Sequence, residues 1–328
     1  MKVTCLAIVV ALACASSGQA NVSLEEAWEK FQLEYPLGVQ TKAEYGKCKS
    51  NFAKTHSMIE AHNSNPNSTY QMEHNRFSVM DDEQMKKYLG AILPTPSSSQ
   101  TYLKFAVKAL PSFVDHRQHW CMQPAKDQGD CGSCWAFSAT SVVEFGHCLL
   151  RGTKVALSEQ QLVDCDRSNY ACGKGNVART WMYIANAGGQ AASASYPYKA
   201  AKGTCVYNSS MKKATVSQND PVVSIAPGDI NTMMSLLAKR QLVSVAFAIV
   251  RSFENYRSGV YTEANCQSNI RGHHAVTLVG YGTANGMDYW IIRNSWGARW
   301  GAAGYVLFQK GKNLCGIESY ALTTNVVG

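Results

Sequence analysis

The stretch Gln128-Gly129-Asp130-Cys131-Gly132-Ser133-Cys134-Trp135-Ala136-Phe137-Ser138 changes character at Cys134. Before it lies a glycine-containing loop. After it, Trp135, Ala136, Phe137, Ala139, Val142, Val143, Phe145 and Leu149 put apolar side chains on nearly every face of a helix over 134–150. A helix apolar all round belongs in the centre of a domain. A thiol at its N-terminus faces unpaired N–H groups and the positive end of the helix dipole, and both favour the thiolate. Cys134 is therefore a candidate nucleophile whose pKa is expected to be lowered.

Such a nucleophile needs a group that takes and returns a proton. The candidate is His274, 140 residues on in Gly272-His273-His274-Ala275-Val276, at the start of a predicted strand. Along a strand, neighbouring side chains point to opposite faces, so only one of His273 and His274 can face Cys134. The histidine in turn needs a group that holds its ring. Asn294, in Arg293-Asn294-Ser295-Trp296-Gly297, offers a side-chain carbonyl, and Trp296 can shield that bond from water. The side-chain amide of Gln128 and the backbone N–H of Cys134 would suit a negative oxygen developing on a carbonyl.

The flanking sequence divides into distinct textures. Leu6 to Ala13 (LAIVVALA), behind Lys2 and ahead of Gly18-Gln19-Ala20, reads as a secretory signal over 1–20, cut after Ala20 or Ala15. Cys5 and Cys14 would leave with it. Residues 24–90 read as helical. Ser23 is an expected N-cap, with Glu25 and Glu26 in the first turn. Glu44, Cys48, Phe52, Thr55, Ile59 and Asn63 form one stripe of a helix that ends at Asn63-Ser64-Asn65-Pro66. A short helix is expected after Asp81-Asp82. Leu93 to Gln100 (LPTPSSSQ) is an exposed, cleavable connector.

From Leu110 the chain turns to short strands, glycines and spaced cysteines, with another short helix opening at Ser158. The runs 243–249, 275–279 and 289–292 are β-rich and bounded by Gly or Asn. These textures give an α+β fold with a helical half over about 110–221 and a β half over about 222–328. A cleft between them is the natural place for a site.

Composition narrows the function classes. Of 328 residues, 46% are hydrophobic and 16% charged, which excludes a wholly disordered chain. No apolar run reaches the roughly 18 residues of a membrane span. Residues 21–109 carry ten Lys/Arg and ten Asp/Glu, and residues 110–328 carry twenty and thirteen, a net +7. The basic residues are scattered, as on a solvated surface, so nucleic acid is not an expected partner. Twelve cysteines point to an oxidising compartment. Nine lie beyond Leu110, an odd number that leaves one thiol free. Sequons at Asn21, Asn67 and Asn208 are candidate glycan sites, Asn67 and Asn208 the better placed.

Other chemistries fit less well. Cys131-Gly132-Ser133-Cys134 is a C-x-x-C motif, but a thiol-disulfide oxidoreductase would need a βαβ pattern that is absent. A zinc module from Cys131, Cys134, His273 and His274 is disfavoured by the predicted strand-adjacent placement of these residues. A catalytically dead binding protein of the same fold is disfavoured because Cys134, His274, Asn294 and Gln128 supply all four residue types the chemistry needs.

Taken together, the motif at Cys134, the segment Gly272–Gly282 and Asn294–Tyr305 (NSWGARWGAAGY) resemble a papain-family cysteine peptidase of the cathepsin L type, in precursor form. The resemblance implies a papain-like two-lobed fold behind an inhibitory propeptide over 21–109, with the mature enzyme over 110–328. It implies Cys134 as nucleophile, His274 as general base and then acid, Asn294 as orienter, Gln128 as oxyanion donor and Gly175 as a backbone contact for bound peptide. It aligns Asn176, Val177, Val243, Ala246, Ala275 and Tyr320 with the main specificity pocket, where Tyr320 favours medium aliphatic side chains. It pairs Cys131 with Cys172, Cys165 with Cys205, and Cys266 with Cys315. Cys121 and Cys148 remain and are expected to bridge each other, with Cys48 unpaired. In the propeptide stripe Cys48 stands where arginine is usual and Thr55 where asparagine is usual. In the next motif Glu73 and Val79 replace the usual Gly and Asp. The expected partners are protein or peptide substrates, the chain's own propeptide and cystatin-type inhibitors. The expected state is a secreted or lysosomal monomer that needs no cofactor or metal.

Overall fold

The computed structural model describes residues 23–39, 41–93, 101–105, 109–263, 266 and 268–328. The signal segment, the Asn21 sequon and most of the connector lie outside these residues. Two helices open the described chain. Helix α1 (Leu24–Glu34) starts at Ser23, whose side chain accepts from the Glu26 N–H while Glu26 reaches back to Ser23. Helix α2 (Lys42–Asn63) starts the same way at Thr41. Glu44 closes that capping box, so the first member of the predicted stripe is a cap rather than a packing residue. Phe52, Thr55 and Ile59 supply the buried face.

The charges that the resemblance would place at positions 48 and 79 are absent, and the space is apolar. Cys48 and Val79 both pack on a cluster of Trp28, Phe31 and Phe52. Thr55 donates its hydroxyl to the Ser78 carbonyl, 3.1 Å away. The last member of the stripe, Asn63, pairs both its amide groups with the Met72 backbone. That bond docks β1 (Tyr70–Met72), a strand within the stretch read as helical. Three residues are too few for periodicity to reveal. Tyr70 and Met72 are buried and Gln71 is exposed. A 3₁₀ turn (Arg76–Val79) and α3 (Asp82–Lys86), capped by Asp81, complete this region.

Strand β2 (Val114–Asp115) precedes the central helix α4 (Cys134–Arg151), most of whose side chains are buried, as its all-round apolar sequence requires. Helices α5 (Glu159–Cys165) and α6 (Val177–Asn186) pack beside it, followed by β3 (Gln190–Ala191) and β4 (Lys212–Val216). The β half contains β5 (Val223–Ile225), α7 (Ile230–Ala238), β6 (Val243–Ile249), α8 (Arg251–Glu254), β7 (Tyr256–Tyr261), β8 (Gly272–Ala284), β9 (Met287–Arg293), β10 (Tyr305–Gln309) and β11 (Ala321–Thr323). Strand β12 (Val326–Val327) follows.

The large sheet runs β1-β7-β10-β9-β8-β6-β11-β5, with β2 also on β8. Strand β1 therefore extends the β half's sheet through antiparallel pairing with β7. The two halves also exchange segments across the sequence boundary near residue 221. Val114 and Asp115 pair with Tyr281 and Gly280 of the β half. Val326 and Val327 pair with Val216 and Thr215 in the small sheet beside the helices.

Disulfides join Cys131 to Cys172, Cys165 to Cys205, Cys266 to Cys315 and Cys121 to Cys148. Cys48 and Cys134 are the free cysteines among the described residues. No helix among the described residues is long and apolar enough to cross a membrane.

Candidate active site

The loop before α4 is built on close backbone contacts. Gly132 donates its N–H to the Cys172 carbonyl at 2.9 Å, and a Cβ at Gly132 would lie 2.5 Å from that oxygen. Ser133 occupies the N-cap position without capping, because its hydroxyl is engaged with Tyr198 at 2.6 Å. The first N–H groups of α4 are thus left for the sulfur of Cys134. That sulfur is fully buried and draws on the backbone N–H groups of Ala275, Gly90 and Trp135. Ala275 follows His274, so the contact brings the thiol against the histidine's strand. Gly90 belongs to the N-terminal region.

His274 is completely buried, and its Nε2 lies 2.7 Å from Asn294 Oδ1. Its Nδ1 makes no hydrogen bond with the described residues. The Asn294 oxygen also accepts from the Ser295 N–H at 2.8 Å, which fixes the amide. The Trp296 ring lies over His274, with centroids 4.7 Å apart, and Trp300 packs edge-on behind it. Gln128 Nε2 donates to the Cys131 carbonyl at 2.7 Å and to the Tyr88 carbonyl at 3.0 Å. The Ser295 hydroxyl donates to Gln128 Oε1, tying the amide to the β half.

Electrostatics here oppose one sequence expectation. Burial pushes the Cys134 thiol up to about 11, against the pull of the surrounding N–H groups. Burial likewise pushes His274 down to about 4, with Asn294 and the Tyr88 backbone opposing. Both groups are therefore neutral near pH 7. The helix N-terminus is present, but the segment Tyr88–Ile92 covers it, and desolvation outweighs the dipole.

That segment fills the cleft. Gly90 accepts from the Gly175 N–H at 2.7 Å, and Ile92 donates to the Gly175 carbonyl at 2.8 Å. The pairing is parallel. Trp135 lies beneath Gly175, where a Cβ would approach its ring to 2.5 Å. Asn176 donates to the Ile92 carbonyl at 3.0 Å and to the Tyr320 hydroxyl at 3.1 Å. His273 is half-buried, and its carbonyl accepts from Ala91 at 3.1 Å.

Among the aligned pocket residues, Val177, Ala246 and Ala275 are buried beside Asn176 and Tyr320. Val243 does not join them. In the unbroken β6–β8 register Ala246 pairs with Ala275 and Val243 with Leu278. Ser244 and Thr277 turn toward Ser138 of α4, so alternation puts Ala246 and Ala275 on that face and Val243 on the opposite one. Sequence reasoning missed Tyr88 and Gly90 in the cleft and the partnership of Gln128 with Ser295. No periodic signal marks them.

Asn67 is exposed in a turn, and Asn208 is exposed as the cap of a short 3₁₀ helix over Ser209–Met211. Among the described residues no cluster of three or more His, Cys, Asp or Glu could hold a metal ion.

Residues 110–325 match the papain family cysteine protease model, and residues 28–85 match the cathepsin propeptide inhibitor domain. Mouse cathepsin S is 36% identical over 313 residues, covering 92% of this chain and 91% of the relative. The digestive procathepsin L2 proteinase of Tenebrio molitor larval midgut superposes with a TM-score of 0.85 at 33% identity, covering 92% of this chain and all of that one. The recombinant stem bromelain precursor superposes with a TM-score of 0.82 at 31% identity, over 92% and 98% of the two chains. The chain belongs to the papain family of cysteine proteases. It is the zymogen of an endopeptidase, with its own inhibitory propeptide lying ahead of the protease.

Proposed function

We propose that Cys134 is the nucleophile of this protease, His274 its general base and then acid, Asn294 the group that orients His274, and Gln128 the oxyanion donor. The observation that carries this reading is the free sulfur of Cys134 beside Ala275 of β8, with the preceding residue, His274, bonded to Asn294 just beyond β9. The Cys134 thiolate attacks a peptide carbonyl. Negative charge on the oxygen is met by Gln128 Nε2 and the Cys134 N–H. His274 protonates the departing amine, leaving an acyl thioester. Water, deprotonated by His274, then releases the acyl group and restores the thiol. Gly175 and Asn176 hold the substrate backbone, and Val177, Ala246, Ala275 and Tyr320 shape an apolar pocket suited to medium aliphatic side chains. Trp296 screens the His274–Asn294 bond from water.

The propeptide, over 21–109, blocks the cleft with the segment 88–92, which pairs in parallel with Gly175. The Tyr88 carbonyl occupies Gln128. Release of the mature enzyme, over 110–328, follows acid weakening of propeptide contacts and cutting of the connector. A secretory signal over 1–20, glycans at Asn67 and Asn208, a secreted or lysosomal destination, a monomeric state and inhibition by cystatins complete the reading.

Labelling with a thiol-reactive epoxide, before and after acid treatment, tests the assignment. One modified residue, Cys134, is expected, and only after treatment. Modification elsewhere, or equal labelling of the untreated chain, would defeat it.

A further inference from the structure

On the peptidase reading above, the cleft has a definable leaving-group side. The acyl carbon joins Cys134, its oxygen turns to Gln128, and the departing amine takes its proton from His274. Residues after the cut bond must then leave past Trp296, which covers His274. Asp127 borders that exit. It bridges to Trp296, with Gln128 donating to the Ser295 carbonyl and Gly297 to the Lys126 carbonyl on either side.

In the zymogen this exit holds a guanidinium. Arg76 donates through Nη1 to Asp127 Oδ2 at 2.6 Å and through Nη2 to Asp127 Oδ1 at 2.9 Å. Nη2 also reaches the Trp296 carbonyl at 3.2 Å. The same guanidinium lies over the Phe77 and Tyr88 rings, and the Tyr88 hydroxyl donates to Asp130. A planar fork meeting two carboxylate oxygens and a carbonyl is the geometry that selects arginine.

The guanidinium that pairs with Asp127 belongs to the propeptide, while the protease itself supplies the Gly129 N–H, which donates to Asp127 Oδ1 at 2.9 Å. Lys126 is no substitute, because it turns inward to Glu144 and Glu159. Arg299 of the protease also pulls Asp127 down from a distance, and in the zymogen its guanidinium lies over the ring of Tyr35 of α1. In the zymogen a cavity of about 300 Å³ lies between Asp127, Trp296 and Gly297 of the protease and Tyr35, Asn75 and Phe77 of the propeptide, so this face of the protease is not tightly filled around Arg76.

We propose that Asp127, with Asp130 beside it, selects a basic side chain on the leaving-group side of the scissile bond. Arg76 occupies the place that the substrate's basic residue takes after activation.

The test uses the processed enzyme and quenched fluorescent peptides. They differ only in carrying arginine, citrulline or glutamate at the first or second position after the cut bond. Citrulline keeps the shape of arginine and removes its charge. At low salt, kcat/KM for arginine should exceed that for citrulline about fivefold at one position, with glutamate below both. The ratio should fall toward one in Asp127→Asn and shrink in high salt. A ratio within one enzyme preparation does not depend on how much of a variant folds. Equal rates for arginine and citrulline at both positions, or a ratio that survives Asp127→Asn combined with Asp130→Asn, overturns the proposal. Loss of all peptide cleavage by the processed wild type would instead overturn the peptidase roles on which it rests.

Discussion

Gln128 donates its side-chain N–H to the backbone carbonyl of Tyr88 across 3.0 Å, so the proposed oxyanion donor already holds an oxygen supplied by the chain's own propeptide. Two residues later the Gly90 backbone is among the groups that pull the Cys134 thiol down against burial. The register of this segment along the cleft is set by its parallel pairing with Gly175.

That register requires glycine at position 90. A Cβ there would stand 1.8 Å from the Gly132 carbonyl oxygen, inside any tolerable contact. Gly90→Ala should push the segment off the cleft floor. The full-length chain at neutral pH should then label at Cys134 at least about tenfold faster than wild type. Unchanged labelling would mean that α1 and α2 alone hold the inhibitor in place.

The ionisation of Cys134 should differ sharply between the two forms. With the thiol pushed up to about 11 in the zymogen, roughly one molecule in ten thousand carries a thiolate at pH 7. Removing the propeptide returns water to the site and lets a thiolate–imidazolium pair form. Iodoacetamide alkylation at pH 7 should be at least about a hundredfold slower in the zymogen than in the processed enzyme. Equal pH–rate profiles in the two forms would contradict this.

Acid sensitivity has a source in the propeptide core. His56 Nδ1 and His74 Nε2 lie 3.1 Å apart, a contact that needs at least one neutral ring. His74 also bonds to the Ser78 hydroxyl and stacks on Phe52 at 4.1 Å. Burial, and then the charge of His56, push His74 down to about 4. A histidine lowered in the folded state favours the native fold only while neutral. The unfolded segment binds more protons between pH 6.5 and about 4, so stability is lost as pH falls through that window. The loss is on the order of 3 kcal/mol. His74→Phe keeps the stacking and removes the titration, so the pH midpoint of activation should move downward. An unmoved midpoint would assign the acid response elsewhere.

The Cys121–Cys148 bridge fastens the loop after β2 to the end of α4 and spans 27 residues of sequence. Both cysteines are buried. Replacing the pair by serine should cost about 3 kcal/mol through the freed unfolded chain. Its measure is the denaturant midpoint of the processed enzyme, with the other three bridges intact. A midpoint within error of wild type would make the bridge neutral.

The chemistry was legible in the sequence wherever residue type is dictated by reaction. A thiol at a helix start, a histidine opening a strand and an asparagine before Ser-Trp-Gly leave few alternatives for Cys134, His274 and Asn294. The strand β6 was legible for a related reason, because burial on both faces demands a continuous apolar run. What stayed hidden depends on pairing between distant segments. Strand β1 has three residues and exists through its partner β7. Val243 looks like its neighbours until the register shows which way it turns. The raised pKa of Cys134 comes from a segment more than forty residues upstream, which no local rule about helix ends anticipates.

The exchange of β2 and β12 between the halves has a consequence for biosynthesis. The helical half lacks one strand of its small sheet until Val326 and Val327 arrive, and the β half needs Val114 and Asp115 from before the central helix. Neither half is an uninterrupted length of polypeptide, so neither can be finished while the ribosome is still reading the other. The propeptide, translated first, is at hand throughout that wait, and its β1 strand can shield an open sheet edge before any proteolytic activity exists.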